Sequence, residues 1–261
     1  MENQITYNSN LLKGTGLIQE MLVLVEAYIP GESAQEFQKR VLKEGLLSKS
    51  TENRTIDVVR NIFRTRFLDQ RLDVTTYLKS MREEYVSMEV ISQLFLVYTC
   101  RANPILSDFI YEVYYLLKKD GKASVTAEDP KIFIRSAISD GRIITSWSVS
   151  TIEKVSEHIN ACLIDFGLVD RSKQILSFRA LDLTVNYLFH ELHFQGYSDM
   201  DILYHRDWHI FNLDPGSLAQ IAERISFGGS FIYQNSGEIL KIGWNYQKME
   251  DFIENECRQK I

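Results

Sequence analysis

Basic side chains are concentrated between residues 36 and 71. This segment holds nine Lys or Arg and five Asp or Glu, a net charge of +4, whereas the whole chain carries −6 and the remainder therefore −10. A positive segment in an acidic protein favours contact with a polyanion, because each cation can neutralise a phosphate. The candidate phosphate contacts in this segment are Lys39, Arg40, Lys43, Lys49, Arg54, Arg60, Arg64 and Arg71.

Two helices separated by a turn are predicted to position these cations. Ser33 and Glu36 have the spacing of a capping box that starts the first helix, and Gly45 ends it. A turn at residues 48–51 precedes the second helix. Its apolar stripe is Ile56, Val59, Phe63 and Phe67, while Arg60, Arg64 and Arg71 recur on another face. A short helix, a turn and a helix with a basic outer face are typical of a helix-turn-helix.

The same basic residues allow a simpler interpretation. Asp57 lies three residues before Arg60 on the predicted helix. Ion pairs at this spacing are common on solvent-exposed helices. The pattern alone therefore leaves phosphate contact and internal ion pairing both open.

A second helix-turn-helix candidate lies in the middle of the chain. A helix is predicted over residues 129–139, and the capping-box spacing of Ser150 and Glu153 starts another. Residues 168–178 follow as a predicted β-hairpin, and this order is typical of a winged helix. The hairpin region carries three cations with no acid between them, Arg171, Lys173 and Arg179. The alternative is a helical packing unit capped by a hairpin.

Four histidines within twenty residues are the other candidates for chemistry: His190, His193, His205 and His209. The last two have the spacing of a helical metal pair, but no His-Glu-x-x-His run accompanies them. Packing among aromatic residues is the favoured interpretation. The sequence also contains no Gly-rich phosphate loop and no Gly-x-Ser-x-Gly motif. It therefore predicts a non-enzymatic protein without a metal or other cofactor.

Composition predicts a mostly α-helical chain with two helical subdomains. The 261 residues are 45% hydrophobic and 25% charged, with only four prolines. We place a helical domain with the basic helix-turn-helix at residues 1–120. A second helical domain, with the winged-helix-like unit and a terminal hairpin plus helix, is placed at residues 121–261.

The cysteines and the apolar runs indicate a cellular location. Three widely spaced cysteines, Cys100, Cys162 and Cys257, favour a reducing cytoplasm over a disulfide framework. No apolar run approaches the roughly 20 residues that span a bilayer, so no membrane contact is predicted. The N-terminus has no features of a signal peptide.

Four segments share a recognisable pattern of apolar and turn residues: 45–55 (Gly-Leu-Leu-Ser-Lys-Ser-Thr-Glu-Asn-Arg-Thr), 101–109 (Arg-Ala-Asn-Pro-Ile-Leu-Ser-Asp-Phe), 147–154 (Trp-Ser-Val-Ser-Thr-Ile-Glu-Lys) and 166–169 (Phe-Gly-Leu-Val). In these segments the chain resembles the BrxA family, the small accessory component of BREX bacteriophage-exclusion systems. The resemblance covers most of the chain. It implies a mostly helical protein, likened to the antitermination factor NusB, that binds DNA. It also implies action with the BREX methyltransferase, phosphatase-like protein and ATPase, and it names no catalytic residue.

Residues and resemblance together predict a cytoplasmic phage-defence component that binds double-stranded DNA through its basic helix. Contacts of this kind neutralise phosphates and position a protein without reading sequence. Two alternatives remain open. One is an adaptor that joins BREX proteins through its acidic C-terminal region without touching nucleic acid. The other is an RNA-binding factor by analogy with NusB.

Overall fold

The computed structural model describes residues 6–47, 51–236 and 240–258, and within them the chain is mostly helical. The α-helices are α1 (Ile18–Ala27), α2 (Ala34–Glu44), α3 (Glu52–Asp57), α4 (Val74–Glu83), α5 (Met88–Ala102), α6 (Pro104–Phe109), α7 (Tyr115–Lys119), α8 (Asp129–Ser139), α9 (Val149–Asp165), α10 (Asp182–Phe194), α11 (Asp199–Leu203), α12 (Pro215–Phe227) and α13 (Met249–Phe252). Wider π-helical segments cover Val58–Leu68, Ile110–Tyr114 and Ile253–Cys257, and 3-10 helices cover Asn10–Lys13 and Arg206–Phe211. Lys49 and most of the predicted turn around it lie outside the described residues.

The first helix of the basic segment, α2, begins and ends where the sequence indicates. The Ser33 hydroxyl accepts a hydrogen bond from the Glu36 amide (3.3 Å), and the Glu36 carboxylate accepts one from the Ser33 amide (3.0 Å). Gly45 takes the left-handed conformation (φ 63°) that ends many helices. Beyond the turn, the Thr51 hydroxyl caps α3 by accepting from the amide of Arg54 (3.3 Å).

The second helix of the basic segment differs from the prediction in its pitch. α3 runs directly into the π-helical segment Val58–Leu68, whose backbone bonds span one residue more per turn than those of an α-helix. Its buried residues are the neighbouring pairs Val58 and Val59, Ile62 and Phe63, and Arg66 and Phe67. Burial therefore repeats every fourth residue, and the buried set includes one charged side chain, Arg66.

Helix α5 forms the centre of the core. Residues 93–100 are all buried, as its apolar character on every side predicts. It ends at Asn103, whose side-chain amide donates to the carbonyl of Thr99 (2.9 Å), and Pro104 begins α6.

The two helices predicted for the second helix-turn-helix candidate are present as α8 and α9, with one correction to the cap of α9. The assignment of the cap to Ser150 is wrong, because Ser148 caps α9 by accepting from the amide of Thr151 (3.1 Å). Two serines two residues apart offer the same cap. Ser148 is the one with the extended backbone (ψ 160°) that a cap requires.

Residues 168–178 form a narrow turn rather than a regular pair of strands. One antiparallel bridge joins Val169 to Ile175, and another joins Ser124 to Gln174. The second arm of the turn pairs with two different segments, since Ile175 pairs with Val169 and Gln174 pairs with Ser124. It therefore forms only isolated bridges. The winged-helix, helix-turn-helix and NusB-like comparisons stay predictions.

The terminal hairpin is confirmed. β1 (Phe231–Asn235) pairs antiparallel with β2 (Leu240–Trp244), and Phe231 lies opposite Trp244. One cluster of buried apolar side chains runs from Tyr7 to Cys257, through both predicted subdomains, and their boundary at residue 120 stays a prediction. Among the described residues, we find no helix whose length and apolar character would let it cross a membrane.

A buried ion cluster ties three distant elements together. Arg101, at the end of α5, donates two hydrogen bonds to the Glu191 carboxylate on α10 (2.7 and 3.1 Å) and two to Asp207 (2.9 and 2.7 Å). The two carboxylate side chains are only 0% and 3% exposed. Burial alone would raise the pKa of Asp207, but the charge of Arg101 and the contact with His205 hold this pKa below its ordinary value. Arg101 therefore keeps Asp207 ionised inside the protein.

We expect Arg101→Met to lower the free energy of unfolding by about 3–5 kcal/mol, because two buried carboxylates would lose their cation. Arg101→Lys should give a smaller loss, since lysine keeps the charge but not the planar fork. Urea denaturation measures both. The control is Arg82→Met, which breaks the more exposed pair of Arg82 with Glu26 (3.2 Å) and should cost about 1 kcal/mol or less. Equal losses at Arg101 and Arg82 would contradict the structural role of the cluster.

Candidate functional site

Arg40, one of the predicted phosphate contacts, is bound within the protein. Its Nε and Nη2 atoms donate to the two oxygens of Glu32 (2.9 and 2.8 Å), and Nη2 also donates to the Ala27 carbonyl (2.7 Å). Hydrogen bonding to Glu32 raises the pKa of Arg40 above its ordinary value. A planar two-bond pair of this kind holds the guanidinium in one orientation. A phosphate could reach Arg40 only in competition with Glu32.

Arg54 and Arg64 form ion pairs that are more accessible. Arg54 binds the carboxylate of Asp57 (3.1 Å), and Arg64 binds that of Asp69 (3.0 Å). The two arginine side chains are 40% and 50% exposed. Exposed pairs contribute at most about 1 kcal/mol, so a phosphate can replace the carboxylate at low cost.

Three other cations of the segment make no close ion pair among the described residues. Lys39, Lys43 and Arg60 are exposed, and their side chains make no ion pair with any residue that the structure describes. Asp57, the partner that the sequence offered to Arg60, is instead occupied by Arg54 and by Lys13 (3.8 Å). The helices that carry these cations are neighbours, since the rings of Phe37 and Phe63 pack with centroids 5.2 Å apart.

Arg71 lies in a different environment from the other cations of the basic segment. Its guanidinium lies over the ring of Tyr197, 6.0 Å from the centroid. Both residues line a groove of about 290 Å³ together with His205 and Arg206. The structure thus brings the last cation of the basic segment next to one of the predicted histidine candidates.

The burial of Arg66 was not predicted from the sequence. Arg66 counts toward the local positive charge, yet it is 2% exposed. Its guanidinium donates to the carbonyls of Gly14 (3.3 Å), Thr15 (2.6 Å) and Gly16 (2.9 Å). Burial lowers its pKa to about 10, so it remains charged at neutral pH. Arg66 therefore organises the loop before α1 and cannot reach a ligand outside.

Glycines are required in that loop because the chain approaches its neighbours closely. A Cβ on Gly14 would lie 2.6 Å from the Cδ1 atom of Ile62, and one on Gly16 would lie 2.6 Å from the Cβ of Asp165. The Gly16 amide also donates to the Asp165 carboxylate (2.9 Å). The loop is thus held between the π-helical segment and the end of α9.

The three cations predicted as a second contact, Arg171, Lys173 and Arg179, are divided between a turn and a groove. Arg171 is exposed on a tight turn, where one carboxylate oxygen of Asp170 accepts from two amides, those of Ser172 (2.8 Å) and Gln174 (2.9 Å). Lys173 is half-buried and adopts a left-handed backbone (φ 62°). The third cation, Arg179, is exposed and lines a different surface, a groove beside α7 and α12.

The histidines are placed among aromatic rings. His193 stacks on Trp244 with centroids 4.1 Å apart, and His209 stacks on Tyr111 at the same distance. His205 caps the 3-10 helix and lies 3.3 Å from Asp207. Within the described ranges, no three His, Cys, Asp or Glu side chains are grouped closely enough to hold a metal ion. A metal-free protein stays a prediction.

The fourth histidine, His190, is fully buried. Its ring stacks on Phe252 with centroids 4.3 Å apart, and its Nδ1 atom lies 2.9 Å from the Asn186 carbonyl. A carbonyl only accepts, so Nδ1 carries the proton. Burial lowers the pKa of His190 to about 4, and the hydrogen bond to Asn186 opposes this shift only in part. His190 is therefore neutral at physiological pH.

Comparison with known proteins now identifies the family. The BrxA family matches residues 5–191. The chain belongs to the BrxA family. BrxA proteins are components of BREX phage-defence systems, so the resemblance drawn from the sequence is confirmed. A relative described as BREX protein BrxA, from Escherichia coli O9:H4 (strain HS), is 23% identical over 175 residues, which cover 67% of this chain and 79% of the relative.

A solved structure shares the fold of this BrxA-family chain. It is a crystal structure of an uncharacterized protein from Magnetospirillum magneticum, with a TM-score of 0.58 and 16% identity. The match covers 72% of this chain and 94% of the other. Identity this low shows the fold alone. The BrxA match ends inside α10, so α11, α12, the hairpin and α13 lie beyond it.

We expect Arg66→Met to reduce the free energy of unfolding by about 3 kcal/mol or more, because three buried carbonyls would lose their donor. Methionine keeps most of the side-chain volume, so the loss reports the hydrogen bonds more than a cavity. Arg60→Met is the matched control on the exposed face and should change stability by about 0.5 kcal/mol or less. If urea denaturation gave the two variants equal stability, Arg66 would not be the buried anchor of the loop.

We also expect His190 to make stability fall as the pH is lowered from about 6.5 to about 4. Its pKa is lower in the folded chain than in the unfolded chain, so the unfolded chain binds the extra proton in this range. The full contribution is about 3 kcal/mol. Burial lowers the pKa of His193 and His209 as well, in the same direction. Comparison with His190→Gln isolates the contribution: equal losses for both proteins between neutral pH and about pH 4 would contradict it.

Proposed function

We propose that this BrxA-family protein is a non-enzymatic, DNA-binding component of a BREX phage-defence system. It contacts the duplex backbone through exposed cations of α2 and of the helical stretch that follows α3. The observation that carries the proposal is the state of Arg60, which is exposed and unpaired within the described residues although Asp57 lies one turn away. Because Asp57 is occupied by Arg54 and Lys13, it does not compete with a phosphate for Arg60.

The distribution of charge supports the same surface. Lys43 joins Arg60 as an exposed cation without an ion pair among the described residues, and Lys39 is exposed near Glu36, whose pKa it helps to lower. They lie in a segment of net charge +4 within a chain of −6. Contacts of this type neutralise phosphates and give little preference for sequence, so the protein should bind many duplexes with similar affinity.

A second duplex contact is proposed at the turn that carries Arg171. The two hydrogen bonds from the turn amides to Asp170 keep this turn rigid, and Arg171 projects from it. Lys173 and Arg179 belong to the same stretch, but one is half-buried and the other lines a groove. Arg171 is therefore the residue of this stretch that is best placed for a duplex.

The absence of enzymatic activity is part of the proposal. It is supported by the way in which the buried ionisable groups are used. Arg101 binds the carboxylates of Glu191 and Asp207, and the three cysteines are buried with raised pKa values, because burial disfavours the thiolate. Their burial and the ion pairs of Arg101 support a structural role for these groups.

Family membership supports the proposed partners, and the three widely spaced cysteines support the proposed location. We place the protein in the cytoplasm, where it would act with the methyltransferase, phosphatase-like and ATPase components of its BREX system. An adaptor that binds these proteins without nucleic acid, and an RNA-binding factor, are the competing functions. Measurement of duplex binding separates both from the proposal.

We expect Arg60→Ala with Arg64→Ala to reduce affinity for a short duplex about tenfold or more and to lower the salt slope by about two, one for each phosphate contact. The unfolding free energy should stay near that of the wild type, because both side chains are exposed. Fluorescence anisotropy at several salt concentrations measures both quantities.

The control for this experiment is Lys154→Ala with Lys241→Ala, which removes two exposed lysines from α9 and β2. It has the same change in net charge and should leave duplex affinity unchanged. Arg171→Ala tests the second contact by itself. Unchanged binding in the Arg60 and Arg64 double variant would overturn the choice of surface. A wild-type protein that binds no duplex at any salt concentration would overturn the function.

A further inference from the structure

A groove with a basic rim lies on a different part of the molecule. It has a volume of about 780 Å³ and is open to solvent. Its walls come from the end of α7, residues 178–182, residues 211–213 and α12. We call it the basic groove. These four segments are distant in sequence, and the BrxA match includes only the first two.

The rim of the basic groove carries an excess of positive charge. Lys118, Lys119, Arg179 and Arg224 line it, with Asp182 as the single acid among its lining residues. Asp182 binds Arg224 (2.7 Å), and this pair lowers the pKa of Asp182 below its ordinary value. The other three cations are exposed and have no ion pair among the described residues. The groove therefore offers a net charge of about +3 to an anion.

The floor of the groove is apolar and aromatic. Phe178 and Phe211 stack in parallel, with centroids 5.9 Å apart and an interplanar angle of 8°. Leu213 and Ile221 complete this floor. Phe178 is half-buried, so part of its ring remains accessible. A basic rim above an aromatic floor matches a ligand that has phosphates on one side and flat rings on the other.

The walls of the groove are held in position before any ligand arrives. The side-chain amide of Gln93, on α5, donates to the Arg179 carbonyl (2.9 Å) and accepts from the Leu181 amide (3.0 Å). On the opposite wall, the hydroxyl of Tyr115 donates to the Ile210 carbonyl (2.9 Å). Binding would therefore not have to order the backbone of these segments, and this reduces its entropic cost.

From these features we infer that the basic groove binds a single-stranded segment of nucleic acid. Its rim cations neutralise successive phosphates, and a base lies against Phe178. The site is distinct from the proposed duplex surface. A concave channel with an accessible aromatic ring suits an unpaired strand, because the bases of a duplex are stacked on one another and cannot reach the floor. Single-stranded DNA and RNA share this chemistry.

The test measures anisotropy of the full-length protein with three fluorescent probes: oligothymidylate, oligouridylate and a short duplex. Lys118→Ala with Lys119→Ala should weaken single-strand binding about tenfold or more and lower its salt slope by about 1.4, because two phosphate contacts are lost. Duplex binding should not change. Phe178→Leu keeps an apolar contact with Phe211 but loses the flat ring, and should weaken single-strand binding about fivefold or more.

The control is again Lys154→Ala with Lys241→Ala, and all variants are checked by urea denaturation for an unchanged midpoint. Binding of either strand supports the inference, and the strand with the higher affinity shows whether the groove prefers DNA or RNA. A wild-type protein that binds the duplex but neither single strand would overturn this inference alone. Binding of a single strand without the duplex would overturn only the proposed duplex function. An equal loss in the control variant, or a loss confined to the duplex probe, would also overturn the inference.

Discussion

The buried cluster of Arg101, Glu191 and Asp207 is the interaction on which much of the structure depends. Two carboxylates with 0% and 3% exposure need a cation within hydrogen-bonding distance, and α5 supplies it at its last turn. The guanidinium also lies over the ring of Tyr98, 5.1 Å from its centroid. The central helix is thereby joined to α10 and to the 3-10 helix that begins at Arg206. Burial of this cluster costs stability in itself, so its benefit is a defined arrangement of three elements rather than a large net energy.

Both grooves described above depend on this arrangement. Phe211, in the floor of the basic groove, belongs to the same 3-10 helix as Asp207. Arg71 and Tyr197 line the smaller groove, whose wall includes Arg101 itself. Residues 101–109 carry part of the BrxA resemblance. The first of them, Arg101, thus has a structural role as the cation of the buried cluster. The segment is structural near its end as well, because Asp108 accepts from the hydroxyl of Tyr7 (2.6 Å) and from Arg206 (3.0 Å).

The sequence predicts those features of the fold that depend on nearby residues. The capping box at Ser33, the helix end at Gly45 and the stop at Asn103 are all set by contacts within about four residues, and all three are confirmed. The choice between Ser148 and Ser150 as a cap could not be made in this way, because both serines offer the same local bond. The burial of Arg66 was missed because its partners, the carbonyls of Gly14, Thr15 and Gly16, lie about fifty residues away in the sequence. The wider turn of the π-helical segment is set by packing that no local pattern records.

The candidate sites show the same division. A count of charges locates the basic segment, but it cannot tell that Arg40 binds Glu32 or that Arg60 has no carboxylate partner in the described chain, since these outcomes depend on side-chain geometry. Cations are favoured at the C-terminal end of a helix, where they interact with its dipole. The positions of Lys118 and Lys119 in the sequence therefore do not by themselves indicate a binding site. Their place on a groove appears only when α12 and residues 211–213 are brought beside them. A site assembled from four distant segments leaves no motif in the sequence.

The π-helical segment Val58–Leu68 has a consequence for how this chain is aligned with other proteins. A π-helical turn holds more residues than an α-helical turn, so a relative with α geometry would make the same contacts with a shorter stretch. Without that change of pitch, each residue removed would turn the rest of the helix by about 100° relative to α3. A gap placed between positions 58 and 68 in an alignment would therefore mark a change of helical pitch and not a change of loop length. Because the tighter α-helical turn compensates for the missing residue, residues after such a gap keep their inner and outer faces, and positions aligned beyond it still share an environment.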